Sequence, residues 1–370
     1  MESINYSWDL AVIGLGICMI MLLISKPSIT YYNPKNNNIK KGISFFFILY
    51  ILNSIFAFWE WDTYHSWGDF KYARSFENFE MTSYEPVYNW LASITHYNYF
   101  IWRAVIWVPT CLLIFHVGKK LNLLNRNLLV SLVLFCVFTY SARNLLGIVL
   151  LLLGAVMIFD SKTSSRIIGI LLIVASYYFH KSMFITILFA ILSLLPQNKM
   201  SITVLIVLFP LATQAAGYII NHINSGELLM SLGETDYTVY LYVNQERVRS
   251  TSLGILRNII ILVPQYLTLI YVTKRIFFDN MLHNDKYYKI WYYLGKLSFI
   301  TIYIASTFYF TNSSIWIYER FKYMGIIPLT FVLAKIWSIE PRSNFWIKSI
   351  ILLQLLSLSY KWLNLYIYWA

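Results

Sequence analysis

Charge is what this chain has least of. Asp, Glu, Lys and Arg make up only 12% of its 370 residues, about half the share of an ordinary globular domain. That scarcity excludes a sizeable soluble domain. Cysteine is nearly absent as well. The three cysteines, Cys18, Cys111 and Cys136, all lie inside apolar runs, so they read as small core residues without disulfide or metal-ligand spacing. The start of the chain has no basic segment ahead of its first apolar run. Glu2 and Asp9 precede that run and no A-x-A site follows it, which predicts a retained first helix over a cleaved signal. No internal repeat is visible, and no Asp-x-Asp pair is present.

What is there is apolar and aromatic: 58% of residues are hydrophobic and 18% are Phe, Trp or Tyr. Apolar runs recur along the whole length, several of them near the ~20 residues that cross a bilayer. The expectation is an all-α fold: a polytopic integral membrane protein of about twelve transmembrane helices at that span length. It forms a single transmembrane domain over 1–370, with outer loops at about 61–98 and 221–256. The spans read as Asp9–Ser25, Gly42–Trp59, Tyr99–Val117, Leu128–Tyr140, Leu145–Phe159, Ile167–Phe179, Met183–Leu195, Ile202–Ile220, Leu256–Val272, Trp291–Phe310, Tyr318–Ile336 and Ile347–Tyr366. Two tight pairs stand out, broken at Ser141–Asn144 and at His180–Lys181. Leu128–Tyr140 and Ile167–Phe179 are short for straight crossings. The net charge of +12 suggests nucleic acid in a soluble protein. Here most Lys and Arg fall in loops of one side, among them Lys119, Lys120, Arg126, Lys162 and Arg166, as expected for the cytoplasmic face.

The segment Trp61–Tyr99 is the first long polar break, and it is not an ordinary linker. Asp62, Asp69, Glu77, Glu80 and Glu85 stand among Trp61, Tyr64, Trp67, Phe70, Tyr72, Phe76, Phe79, Tyr84, Tyr88 and Trp90. Aromatic bodies with polar heads suit a membrane–water interface or a sugar ring.

With this topology the misfit polar residues fall on the outer side. They are Arg143, His180, Lys181, Arg247, Arg249, Arg257 and Arg320, with Asp69 and Glu85. Charges near spans are costly and usually face a water-filled cavity or a partner. Arg143 interrupts two apolar runs and opens a helical one. A guanidinium beside free helix N–H groups suits a phosphate; the plainer reading is a headgroup contact. His180, in Tyr-Tyr-Phe-His-Lys-Ser, reads as a proton carrier or phosphate donor, or as a capped interfacial histidine. Arg320 reads as an anion ligand or as the ion-pair partner of Glu319. Of Arg247, Arg249 and Arg257, one or two are candidates to bind an anion. Glu85 precedes Pro86, so it is a candidate base and equally a helix cap.

Gly68-Asp69-Phe70-Lys71-Tyr72, then Tyr84-Glu85-Pro86-Val87-Tyr88, resemble the first outer loop of the EpsG family of Wzy-type bacterial polysaccharide polymerases. Arg143 opening a helix, Phe179-His180-Lys181-Ser182 and Arg320-Phe321-Lys322-Tyr323 fall in that family's order. The resemblance covers most of the chain, from the second span to the penultimate one. Each motif is short, and only their order is specific. The family often has an arginine shortly before Gly-Asp, where this chain has His65, Ser66 and Trp67. The family's Arg-Gln is Arg143-Asn144 here.

The resemblance implies a GT-C-like membrane glycosyltransferase of the bacterial inner membrane, with its site on the outer face. Its substrate would be an oligosaccharide linked to undecaprenyl pyrophosphate, polymerised for O-antigen, capsule or exopolysaccharide. It implies no cofactor and metal-free transfer. Expected partners are membrane lipids and the lipid-linked oligosaccharide, with a chain-length regulator and a flippase beside it and no nucleic acid. On this reading Arg143, Arg320 and Arg249 bind the pyrophosphate, since cations there stabilise the leaving group. Glu85, Asp69 and His180 are the candidates for proton transfer, and Tyr72, Tyr88 and Trp90 stack sugars. Three rivals stand beside it: a lipid-linked oligosaccharide flippase, a glycan ligase of similar architecture, and a scaffold of an export complex.

Overall fold

The computed structural model describes residues 86–121, 123, 142–180, 183–195, 198–222, 252–310, 315–339, 345–350 and 353. Among them 86% are helical and none is in a strand, so this part of the chain is all-α. The named helices are α1 (Pro86–Ile94), α2 (Tyr99–Lys120), α3 (Ala142–Ile158), α4 (Thr163–Phe179) and α5 (Met183–Leu192). They continue with α6 (Lys199–Val207), α7 (Phe209–His222), α8 (Ser252–Thr273), α9 (Tyr288–Phe310) and α10 (Ile315–Ile339). A short π-turn, Lys274–Phe278, follows α8. The spans expected at Asp9–Ser25, Gly42–Trp59 and Leu128–Tyr140 lie outside the described residues, as does most of Ile347–Tyr366.

Where both exist, the helices follow the apolar runs, and their ends differ for local reasons. α1 lies inside the expected outer loop and starts at Pro86, whose fixed φ suits a first helical position. α3 begins at Ala142, so most of the expected break at Ser141–Asn144 is helix. α4 begins at Thr163, a turn earlier than the apolar run. α5 stops at Leu192, where the Ser193 hydroxyl turns back to donate to the Phe189 carbonyl at 2.7 Å. The expected single span Ile202–Ile220 is two helices, α6 and α7, bent by 57° at Leu208. Pro210 explains the break: it has no N–H to continue the ladder, and it is tolerated only in the first turn of a new helix.

Among the described residues one helix, Tyr99–Gly118, is long and apolar enough to cross a membrane, and the bent α6–α7 pair is a second if taken as one span. α9 and α10 are longer, at 23 and 25 residues. Their tyrosines, tryptophans and lysines lower the mean hydropathy.

The chain packs as two compact units: Met1–His180 with Leu333–Ala370, and Lys181–Val332. In the first, α3 is the centre, since every residue from Leu146 to Val156 is buried. In the second, α9 receives its neighbours through side chains that reach their open carbonyls. Tyr293 Oη donates to the Ala190 carbonyl at 3.1 Å and Lys296 Nζ to the Leu195 carbonyl at 3.0 Å. These tie up carbonyls at the end of α5 and just past it that have no partner within the helix. Tyr303 Oη donates to the Leu205 carbonyl at 2.8 Å, and its ring meets Phe209 edge-on at 5.2 Å, so one tyrosine braces both sides of the bend. The Tyr266 and Ser306 hydroxyls, 2.6 Å apart, join α8 to α9.

Candidate functional site

The site is built on the α3–α4 hairpin. Two glycines set its register. A Cβ on Gly154 would lie 2.6 Å from the Gly169 carbonyl oxygen, and one on Gly169 would lie 2.7 Å from the Gly154 oxygen. Those are distances only glycine permits, and small residues at a helix crossing let backbones meet this closely. Arg143 lies eleven residues before Gly154, and His180 eleven residues after Gly169. In an antiparallel hairpin equal steps from the crossing reach the same height, here about 16 Å at 1.5 Å per residue. The register therefore brings the Arg143 backbone and His180 to the same end of the first unit.

Arg143 is the second residue of α3. Its neighbouring backbone N–H groups belong to the first turn, where no intrahelical acceptor exists. His180 terminates α4 with extended backbone, φ −159° and ψ 120°. Its N–H donates to the Ser176 carbonyl at 3.1 Å, and its side chain is buried.

α1 joins the same end. Trp102 Nε1, on α2, donates to the Tyr88 carbonyl at 3.2 Å. The Tyr88 ring meets Trp102 edge-on at 6.0 Å and Phe179 edge-on at 6.2 Å. Phe179 is the residue before His180, so α1, α2 and the end of α4 close around one aromatic cluster. This placement revises one expectation. Tyr88 has 0% exposure, and a ring with no open face is not available to stack on a sugar; it is a packing residue. Trp90, 62% exposed on the same helix, keeps an open face.

Arg103 was not singled out in the sequence, though the signal was there: a cation inside the apolar run Tyr99–Val117. It is only 3% exposed. Its Nη1 donates to Tyr99 Oη at 2.7 Å, and its guanidinium carbon lies 6.0 Å from the Tyr99 ring centre and 5.8 Å from that of Trp107.

The opposite end of the unit is built differently. Lys120 Nζ, at the end of α2, lies 3.3 Å from Asp160 Oδ2 in the α3–α4 turn. Ser165 Oγ donates to the same carboxylate at 3.1 Å, and Arg166 Nε donates to the Asp160 carbonyl at 2.8 Å. The Ser165 hydrogen bond first, then that of Lys120, hold the Asp160 carboxyl below the usual carboxylate value of 3.8.

Of the remaining candidates, Arg320 is the sixth residue of α10, in the second unit. Asp69, Tyr72, Glu85 and Arg249 lie outside the described residues. Glu85 immediately precedes the first residue of α1. Among the described residues no group of three His, Cys, Asp or Glu side chains could hold a metal ion.

A helix N-terminus with an arginine in its first turn, level with a buried histidine, is equipped to bind an anion and to donate a hydrogen bond to it. No family model, no curated protein and no solved structure matches this chain. What the fold defines is thus a class: a helical protein, rich in apolar helices over its described part.

Proposed function

We propose that this chain is a polytopic membrane glycosyltransferase of the Wzy type, similar to the EpsG family, with about twelve spans of the usual ~20 residues. It acts at the outer face of the bacterial inner membrane. It moves a growing glycan from undecaprenyl pyrophosphate onto the non-reducing end of another lipid-linked repeat unit. The observation that carries the reading is the hairpin register, which brings the Arg143 helix start level with His180. The reaction needs such a place. The bond from the anomeric carbon to the pyrophosphate oxygen breaks, and a bond to the acceptor hydroxyl oxygen forms. The lipid pyrophosphate leaves with the electron pair, where cations and helix N–H groups stabilise it.

Arg143 and the N–H groups of α3 hold the pyrophosphate; Arg320, on α10, is a separate candidate to bind an anion. His180 donates to a phosphate oxygen or carries the acceptor proton. Glu85, the residue before Pro86 in sequence, is the first candidate base and Asp69 the second. Trp90 and Tyr72 offer sugar platforms. The membrane setting is supported by α4, whose face of Ile167, Ile170, Leu171, Val174 and Tyr178 is exposed. Water-facing surfaces rarely carry so continuous an apolar patch. Opposed ends also fit the orientation: Lys120 and Arg166 at one, Arg143 and His180 at the other.

The bent α6–α7 pair favours a second reading, since transporters build substrate sites at broken helices. A flippase for the same lipid-linked oligosaccharide is that reading. Surface polysaccharide from a deletion strain separates them. With wild-type protein restored, the polymerase reading expects a ladder of chain lengths. The deletion should leave lipid carrying single repeat units on the outer side. Arg143→Ala at normal membrane level should lower turnover on the order of 10²-fold. Lipid-linked units stranded on the cytoplasmic side of the deletion strain mean a flippase. A wild-type ladder from both Arg143→Ala and His180→Ala overturns the site.

A further inference from the structure

One corner of the second unit gathers lysines that no carboxylate answers. Lys296, on α9, is 7% exposed. One of the three N–H donors of its ammonium group goes to the Leu195 carbonyl at 3.0 Å, and the cation lies 5.5 Å from the Tyr292 ring centre. Tyr292 meets Phe277 of the π-turn edge-on at 4.9 Å. The next residue, Phe278, has Lys199 Nζ 5.2 Å from its ring centre. Lys199 opens α6 and stands four residues after Leu195, so the path of contacts closes on itself. The end of α5, the start of α6, the π-turn and α9 thus meet at one corner, with Lys199 and Lys296 at the two ends of an aromatic row.

Three more lysines belong to the same elements. Lys274 opens the π-turn, Lys286 precedes α9 and Lys289 lies in its first turn; all three are exposed. Among the described residues none of these five lysines is in an ion pair. The acids beside them are engaged elsewhere. Asp279 is paired with Arg275 at 2.9 Å. Asp285 accepts from the Tyr287 N–H at 2.8 Å and from Trp291 Nε1 at 3.1 Å. Lysines that only mark a cytoplasmic loop do so from water. Burying one of them costs desolvation unless its donors find acceptors, and the Leu195 carbonyl takes up one donor of Lys296.

Apolar surface flanks the charge: Leu194, Leu195 and Met200 are 54%, 55% and 74% exposed. A free inorganic anion would meet the lysines and leave these side chains uncovered. A phospholipid meets both, its phosphate on the ammonium groups and its acyl chains on the leucines. With the expected spans, the α5–α6 and α8–α9 connections fall on the cytoplasmic side, where basic pockets between helices take anionic headgroups.

We propose that this corner binds the phosphate of an anionic phospholipid of the cytoplasmic leaflet, held by Lys296 and Lys199, with Lys274, Lys286 and Lys289 adding attraction from around it. The proposal rests on the membrane part of the reading above and not on its chemistry.

The test starts with the full chain in membranes, washed with alkaline carbonate. The protein is then purified in detergent and titrated with dioleoyl phosphatidylglycerol, dioleoyl phosphatidylcholine or inorganic phosphate, with binding read by native mass spectrometry and by thermal stabilisation. Wild type should retain phosphatidylglycerol over phosphatidylcholine, and inorganic phosphate should not replace it. Lys296→Met and Lys199→Gln should each weaken phosphatidylglycerol binding about five-fold, the effect of one cation beside an anionic surface. Lys296→Arg should keep most of the affinity. Lys162→Gln, which removes an exposed lysine from the first unit, should change nothing. Equal weakening by Lys162→Gln overturns the site in favour of diffuse surface charge. Stabilisation by inorganic phosphate as strong as by phosphatidylglycerol overturns the lipid as occupant. If Lys296→Met does not accumulate, Lys199→Gln, at an exposed position, carries the comparison. A chain released by carbonate sinks the membrane reading itself. A chain that resists carbonate and shows no preference for phosphatidylglycerol sinks only this inference.

Discussion

Replacing Gly154 tests the framework on which the site stands. A Cβ there meets the Gly169 oxygen at 2.6 Å, Ile173 Cγ1 at 2.7 Å and Ile173 N at 3.2 Å, where ordinary contact begins at 3.4 Å. Two of these obstacles are backbone atoms, which cannot rotate aside, so the two helices must move apart by most of an ångström. Overpacking of this kind costs roughly 1–3 kcal/mol, occasionally more. Alanine regains about 0.8–1.0 kcal/mol of helix propensity relative to glycine, so Gly154→Ala should lose only about 1 kcal/mol after that offset. Gly154→Leu regains a similar amount but drives three further carbons into Ile173, and should lose about 3 kcal/mol or more. Gly118 is the internal control, because a Cβ there has nothing within 4 Å. Gly118→Ala should be neutral or slightly stabilising. The assay is the temperature at which full-length protein in detergent leaves the monodisperse peak on size exclusion. The order Gly118→Ala, Gly154→Ala, Gly154→Leu, from most to least stable, is expected. Polysaccharide output should fall with Gly154→Leu as the hairpin spreads. A Gly154→Leu protein as stable as wild type would refute the close crossing, and with it the argument that Arg143 and His180 share a height.

The aromatic cluster separates packing from contact with substrate. Tyr88→Ala should cost about 3–5 kcal/mol, as for other large buried aromatics, read by the same thermal assay. Trp90→Ala should change stability by no more than about 0.5 kcal/mol while shortening the polysaccharide ladder; no change in chain length would remove Trp90 from the sugar-binding role. Asp160 gives a pH dependence of definite sign. Its carboxyl is held below 3.8 by Ser165 and Lys120, so the folded state binds that proton less readily than the unfolded chain. Its contribution is fully present above about pH 4 and fades as pH falls through the lowered value. Wild type should outlast Asp160→Asn at pH 6, and the gap should close in acid. A gap that widens below pH 4 would contradict the sign.

Much of this was legible without tertiary structure, and for local reasons. The helical class, the starts at Pro86 and near Arg143 and the end at His180 follow from apolar runs and from residues that begin or stop a hydrogen-bond ladder. Those are properties of a few neighbouring residues. The break at Leu208 was written locally as well, in Pro210, but the apolar run across it masked the signal. Tyr88 could not be assigned from sequence, since an aromatic beside a polar loop looks the same whether it meets a sugar or Phe179. Arg103 was passed over because a single cation in an apolar run reads the same in sequence whether it is buried or reaches out to water; that it lies buried beside Tyr99 and Trp107 belongs to the folded structure. The register of α3 against α4 belongs to the tertiary structure alone. Sequence shows two glycines fifteen residues apart; that they face each other depends on how two helices cross. Closeness at that crossing, more than any motif, brings Arg143 and His180 to one end.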